Sequence, residues 1–163
     1  MKNFPIEHEG KTYWISRSIA VSCFVFAIIN KQWCVLANKR GEGVPDFKGY
    51  WNVPCGYLDW DETTKDAAIR EVYEETGVKL ETATFWGIND KPTENHQNVT
   101  FRYYSILGNS QFKNLNIDSN SRGGEEQEVD AVKWIPVSEM NNYDWAFDHD
   151  IIIKDFIETF NLK

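Results

Sequence analysis

Three glutamates, Glu71, Glu74 and Glu75, are spaced by three and four positions. On a helix that spacing puts their carboxylates on one face, about one turn apart. Like charges so placed repel, by a few tenths of a kcal/mol per pair on a bare helix. A bound divalent cation reverses the sign of that term. Carboxylate oxygens suit magnesium, which keeps several waters and takes its remaining ligands from substrate phosphates; manganese shares the preference. Taken alone, Glu-x-x-Glu-Glu more often marks a solvated acidic face than a metal site. The flanking residues decide between the two. Gly56 lets backbone approach closely enough for its carbonyl to face a cation. Glu62 precedes the helix. Arg70, one turn before Glu74, can hold neighbouring carboxylates by forked hydrogen bonds.

The elements that must carry these groups follow from period and punctuation. Ala68, Val72 and Thr76, with Ile69 and Tyr73 beside them, predict a helix from about Thr63 to Thr76. Asp61 or Thr63 can cap it, and Gly77 is a left-handed stop. Tyr13 to Ile29 reads as one long strand, Asn30-Lys31 as a turn and Gln32 to Asn38 as the partner strand. Arg40 to Gly49 is a glycine-rich loop, and Trp51 to Pro54 a short strand leading to Gly56. Thr82 to Ile88, Val99 to Leu107 and Val129 to Ile135 are strand-like, and Pro136 to Met140 is a turn of helix. Asp148 to Phe160 is a last helix with Ile152, Ile153, Phe156, Ile157 and Phe160 on its buried face. Between Leu107 and Glu128 runs a polar stretch too long for an idle loop. No repeat or domain boundary interrupts residues 1–163, so a single domain of α/β class is expected, with helices packed on a mixed sheet.

From Gly56 the chain reads Gly56, five residues, Glu62, seven residues, then Arg70-Glu71-Val72-Tyr73-Glu74-Glu75-Thr76-Gly77-Val78. This resembles the Nudix box, Gly-x5-Glu-x7-Arg-Glu-U-x-Glu-Glu-x-Gly-U, with U a bulky aliphatic residue. A chance match is roughly 10⁻⁹ per start point at average residue usage, so the resemblance is specific. Trp51 to Pro54, Val129 to Met140, and Phe147 to Asp150 with the isoleucines after them are similar to the family's flanking elements. The resemblance implies an α/β/α sandwich over nearly the whole chain. It implies that Glu71 and Glu75 bind metal with the Gly56 carbonyl, that Glu74 serves as ligand or base, and that Arg70 and Glu62 complete the catalytic set. The expected reaction is magnesium-dependent hydrolysis of a nucleoside diphosphate linked to another group, giving a nucleoside monophosphate. Pro54-Cys55-Gly56 departs from the commoner Pro-Gly-Gly, and Asp59 and Asp61 from the usual Glu and Gly, which bears on loop geometry.

Other residues carry two readings each. Lys39 and Arg40 either touch substrate phosphates or form an exposed basic turn. Glu125, Glu126 or Glu128 either adds a ligand or base, as mobile loops do in some members, or is solvated. Trp86, Trp145 and Phe147 either stack on a base or pack in the core, where their apolar context puts them. His8, His96 and His149 are scattered and receive no chemistry. Pro92 resembles a proline of ADP-ribose-hydrolysing members. Candidate substrates are ADP-ribose and other nucleotide sugars, oxidised nucleoside triphosphates and dinucleoside polyphosphates. Two further classes compete. One is a non-catalytic nucleotide sensor, which need not keep every glutamate of the box. The other is a prenyl diphosphate isomerase, whose catalytic cysteine Cys55 does not match.

Net charge is −8 and the sequence pI about 4.9. That excludes a primary role on nucleic acid or anionic membrane, which needs Lys and Arg to displace counterions. It also demands cations between protein and any phosphorylated substrate. Cys23, Cys34 and Cys55 lack CxxC spacing, so a disulfide framework or zinc site is not expected. The apolar run Ile19 to Ile29 is too short to span a bilayer and lacks a cleavage pattern, so a cytoplasmic chain is expected. A homodimer is left as an open expectation, since such dimers are frequent.

Overall fold

The computed structural model describes residues 3–93, 97–108 and 127–162. The mixed sheet is built on β3 (Ile19–Ile29) and β4 (Gln32–Arg40), an antiparallel pair joined at Asn30 and Lys31, both with positive φ. β5 (Trp51–Asn52) pairs with β4, and β6 (Cys55–Tyr57) pairs with the first half of β3. β7 (Thr84–Asn89) runs antiparallel to β8 (Val99–Leu107), which lies parallel to β3. β9 (Val129–Pro136) pairs with β4 and leads into a 3₁₀ turn, Val137–Asn142.

Helix α1 (Thr64–Thr76) covers one face of the sheet and α2 (His149–Thr159) the other. Strand alternation sorts the core accordingly. Val21, Cys23 and Val25 pack with Ala67, Ala68 and Val72 on the α1 side. Phe24 and Phe26 pack with Ile153 and Phe156 on the α2 side, where the Phe26 and Phe156 rings stack at 4.5 Å. This is the expected α/β/α sandwich.

Helix α1 starts and stops on local chemistry. The Thr63 side chain accepts from the Asp66 amide, and Gly77 takes φ 73° while its N–H donates to the Tyr73 carbonyl. Three boundaries differ from the sequence reading. The long strand from Tyr13 is two elements, β2 (Lys11–Ile15) and β3, because Arg17 turns aside to donate to the carbonyls of Asp90, Gln97 and Asn98. β2 instead pairs with an unanticipated β1 (Phe4–His8) through a Glu9-Gly10 turn, both residues at positive φ. The strand before Gly56 is split, with Val53 and Pro54 between β5 and β6. Phe160 is 40% exposed rather than buried, although its ring packs on Phe156 and Tyr104. The polar stretch over 109–126, with Glu125 and Glu126, and His96 lie outside the described residues. No described helix is long and apolar enough to cross a membrane.

Candidate active site

Arg70 organises the box. Its Nε and Nη2 donate to the two oxygens of Glu62 at 3.1 and 2.8 Å, and Nη1 donates to Glu71 and Glu74, both at 2.8 Å. Nη2 also reaches the Tyr57 carbonyl of β6. One guanidinium thus ties the loop before the helix, three carboxylates and the adjoining strand into one unit. The Arg70 hydrogen bonds hold the Glu62 carboxyl below the ordinary range, and Arg70 in turn is pushed above its ordinary value.

Glu71 and Glu75 are buried between α1 and β6. The Cys55 N–H donates to Glu75 Oε2 at 3.0 Å. Burial, partly offset by Arg70, raises the Glu71 carboxyl to about 7, with Glu74 and Glu128 adding to the rise. Burial, then the Glu71 charge, lifts Glu75 well above the ordinary value. Gly56 is required here by space. A Cβ built on it would collide with the Glu71 carboxylate, so strand and side chain meet where only glycine fits.

This donor set fits a divalent cation. Two buried carboxylates lie against a glycine backbone, and the nearby cations Arg70 and Arg40 are shared with Glu62, Glu74 and Asp46. Among the described residues no three ligating side chains already converge on one point, because Arg70 draws oxygens of Glu71 and Glu74 to itself.

A cleft of about 350 Å³ opens beside the pair. Gly56, Glu75, Glu128, Arg40, Arg102, Phe147 and His149 are among its lining residues. Glu128 is placed by backbone bonds: the Gly41 and Gly43 amides donate to the carbonyls of Glu128 and Gln127 at 2.8 and 2.9 Å. Of the two basic candidates, Arg40 reaches the cleft and Lys39 does not line it. The Arg40 guanidinium is bound to Asp46 at 2.8 Å and stands 4.9 Å from the Phe147 ring centroid. Glu74 stays with Arg70, about a quarter exposed, and is not among the lining residues. Trp86 and Trp145 serve the α2-side core, whereas Phe147 stands in the cleft wall.

His149 was invisible to sequence reasoning, because its partner lies 96 residues away. Its Nδ1 accepts from the Val53 N–H at 3.1 Å. Burial, then the charges of Arg102 and Arg40, lower it to about 3, so the ring stays neutral at ordinary pH. The unfolded chain therefore takes up a proton near pH 6.5 that the folded chain refuses. Stability from this group is complete above about 6.5 and falls by about 1.4 kcal/mol per pH unit down to about 3. Glu71 and Glu75, both raised, work in the opposite direction above about 4.5, whereas Glu62, held below its ordinary range, loses stability together with His149 below about 4.5. His149→Asn, whose Oδ1 can accept the same N–H, should flatten the acid limb in denaturant titrations at pH 3.5 to 6.5. An acid limb as steep as that of the wild type would contradict the assignment.

Comparison with known proteins agrees with this arrangement. The NUDIX domain model matches residues 17–156. The chain is 30% identical over 138 residues to an ADP-ribose pyrophosphatase of Methanocaldococcus jannaschii, covering 84% of this chain and 73% of that one. It is 29% identical to an RNA pyrophosphohydrolase of Rhizobium meliloti, covering 72% and 80% respectively. The fold matches the NUDIX domain of Shewanella oneidensis NrtR complexed with ADP ribose at a TM-score of 0.70, with 22% identity and 90% of each chain covered. Nudix hydrolases generally use divalent metal ions and cleave pyrophosphate bonds. The protein therefore belongs to the Nudix family and is a Nudix hydrolase.

Proposed function

We infer that this chain hydrolyses the pyrophosphate bond of a nucleoside diphosphate carrying a further group, an ADP-ribose-like nucleotide, to a nucleoside monophosphate and a phosphorylated second product. The observation that carries the reading is Glu75, buried beside Glu71 with the Cys55 N–H as its hydrogen-bond donor, in the lining of a cleft sized for a small nucleotide. Glu71 and Glu75, with the Gly56 carbonyl, would hold the cation. Magnesium bound there supplies neutralisation of the diphosphate and a more acidic water. Arg70 keeps Glu62, Glu71 and Glu74 in register without touching the substrate. Arg40 is available to a phosphate from the opposite wall.

Proton acceptance from the attacking water falls to Glu74 or Glu128. Glu74→Gln and Glu128→Gln, each assayed from pH 6 to 9, separate them. The base variant should lose about 10²- to 10⁴-fold in kcat together with the acidic limb of the pH–rate profile. The other should keep that limb. Retention of full activity and of the limb in both variants would exclude both residues.

The M. jannaschii relative and the ADP-ribose complex of the NrtR domain support a nucleotide-sugar substrate. The RNA pyrophosphohydrolase relative favours cleavage at a triphosphate end, but a net charge of −8 suits a small nucleotide better than a polyanion. Cys23, Cys34 and Cys55 are all free, which fits a reducing, cytoplasmic setting. The deciding experiment incubates the protein and magnesium with ADP-ribose, ADP-glucose, diadenosine tetraphosphate and a nucleoside triphosphate. AMP should appear from the first two. Release of pyrophosphate from the triphosphate alone would replace this substrate class with a triphosphate one, and no product from any compound would leave the sensor reading.

A further inference from the structure

Arg102 is a half-buried guanidinium with no hydrogen bond or ion pair to any described residue. Burial lowers its tendency to hold charge, and only the field of Asp155 counters this. Such a group is costly to leave uncompensated, and its surroundings show what would compensate it. Arg102 pairs in register with Ser22, and Ser22 with Cys55, so Arg102 lies one row across the sheet from the start of the box. At strand spacing its Cα is about 10 Å from that of Cys55. Alternation puts its side chain on the α2 face with Phe24, opposite Glu71. His149, 5% exposed, lines the same cleft, and the charge of Arg102 acts on its ring. With Nδ1 taken by the Val53 N–H, the neutral ring carries its proton on Nε2. Arg102 and Nε2–H therefore present donors only, next to the apolar flank of Phe147 and Ile152. The acids lining the cleft are Asp46, already bound to Arg40, and Glu75, Glu128 and the exposed Asp148.

We propose that Arg102 and His149 form an acceptor-reading subsite that selects the part of the substrate beyond the diphosphate, taking a group with two adjacent acceptors and no donor. The proposal rests on the hydrolase reading above and narrows its substrate to a guanine nucleotide or one bearing a further phosphate, ahead of ADP-ribose itself. Two sources offer such a group: the O6/N7 edge of guanine, or the oxygens of an additional phosphate. Adenine offers N7 beside a donor amino group, which would face donors.

The test uses ligands without an anhydride, so that hydrolysis does not enter. Calorimetry in magnesium compares GMP, AMP and adenosine 3′,5′-bisphosphate on wild type, Arg102→Met and Arg102→Lys. Wild type should bind either GMP or the bisphosphate at least about tenfold more tightly than AMP, as expected for hydrogen bonds to a charged group. A preference for GMP identifies the base edge, and a preference for the bisphosphate identifies a phosphate. Arg102→Met should erase the preference, with a melting temperature equal to or above that of wild type, because among the described residues no hydrogen bond or ion pair holds the lost charge. Arg102→Lys should keep a phosphate preference and lose a guanine preference, since it keeps the charge but not the fork. Equal affinities for all three ligands, no binding at all, or a preference that survives Arg102→Met would overturn the proposal. In each of those cases, hydrolysis of ADP-glucose by the same preparation would leave the hydrolase reading standing, whereas loss of hydrolysis with a preserved ligand preference would remove that reading and keep this one.

Discussion

Glu75→Gln is expected to lower turnover by more than about a hundredfold and, in magnesium-free buffer at pH 8, to raise the melting temperature. The first effect follows from removing a proposed metal ligand, since loss even of groups that merely support a ligand costs 10- to 100-fold. The second follows from burial. Glu75 lies 6% exposed beside Glu71, with Glu128 near, and its carboxyl is pushed well above the ordinary value. A carboxyl whose folded value is raised gives stability that is complete below the unfolded value, near 4.5, and is lost as pH rises through the folded one. At pH 8 burial of this carboxyl therefore burdens the fold, and at pH 5 it does so far less. A glutamine can still accept the Cys55 N–H and carries no charge. The difference in melting temperature between variant and wild type should grow from pH 5 to pH 8, and magnesium should stabilise wild type more than the variant. Differential scanning calorimetry with and without the metal reads both. Wild-type turnover in Glu75→Gln would end the metal-site assignment.

Gly56→Ala should lower kcat by about a hundredfold while costing only about 1–3 kcal/mol of stability. The added methyl takes the space of the Glu71 carboxylate, which is buried and bound to Arg70. The carboxylate must move, and a displacement of about 1 Å at a catalytic group is enough for a loss of that size. Overpacking sets the smaller cost to the fold. Backbone strain does not enter, because Gly56 is absent from the positive-φ glycines. Gly49→Ala is the matching control. Gly49 has φ 78° and open space around it, so alanine there strains the loop by about 1–2 kcal/mol and leaves the site intact. Equal activity losses in the two variants, or none at Gly56, would show that the glycine serves the turn and not the carboxylate. Steady-state kinetics and urea midpoints on the same samples decide it.

Helix α1 was legible to within one residue, since the Thr63 cap, the Ala68-Val72-Thr76 stripe and the Gly77 stop act over a single turn each. Val99 to Leu107 was read to the residue because β-branched and aromatic side chains dominate it, with only Arg102, Ser105 and Leu107 of other types. The hairpin of β1 and β2 was missed for a physical reason. Its residues are almost all exposed, so no alternation of buried and polar positions marks it, and its register comes from a Glu9-Gly10 turn. The extra strand length given to Tyr13 fails at Arg17, whose role is to bind carbonyls about eighty residues away.

By its own residues the sequence determined the helix, the common face of its glutamates, the glycine that stops the helix at 77 and the demand of an acidic chain for cations. Those are consequences of local period, side-chain charge and backbone freedom. Only the tertiary structure decided that Arg70 would gather Glu62 with Glu71 and Glu74, and that Arg40 rather than Lys39 would line the cleft. It also decided that Glu128, Arg102 and His149 would meet there. These residues come from different strands and the second helix. Sheet register and helix–sheet packing bring them together, and neither is written in the spacing of any one segment.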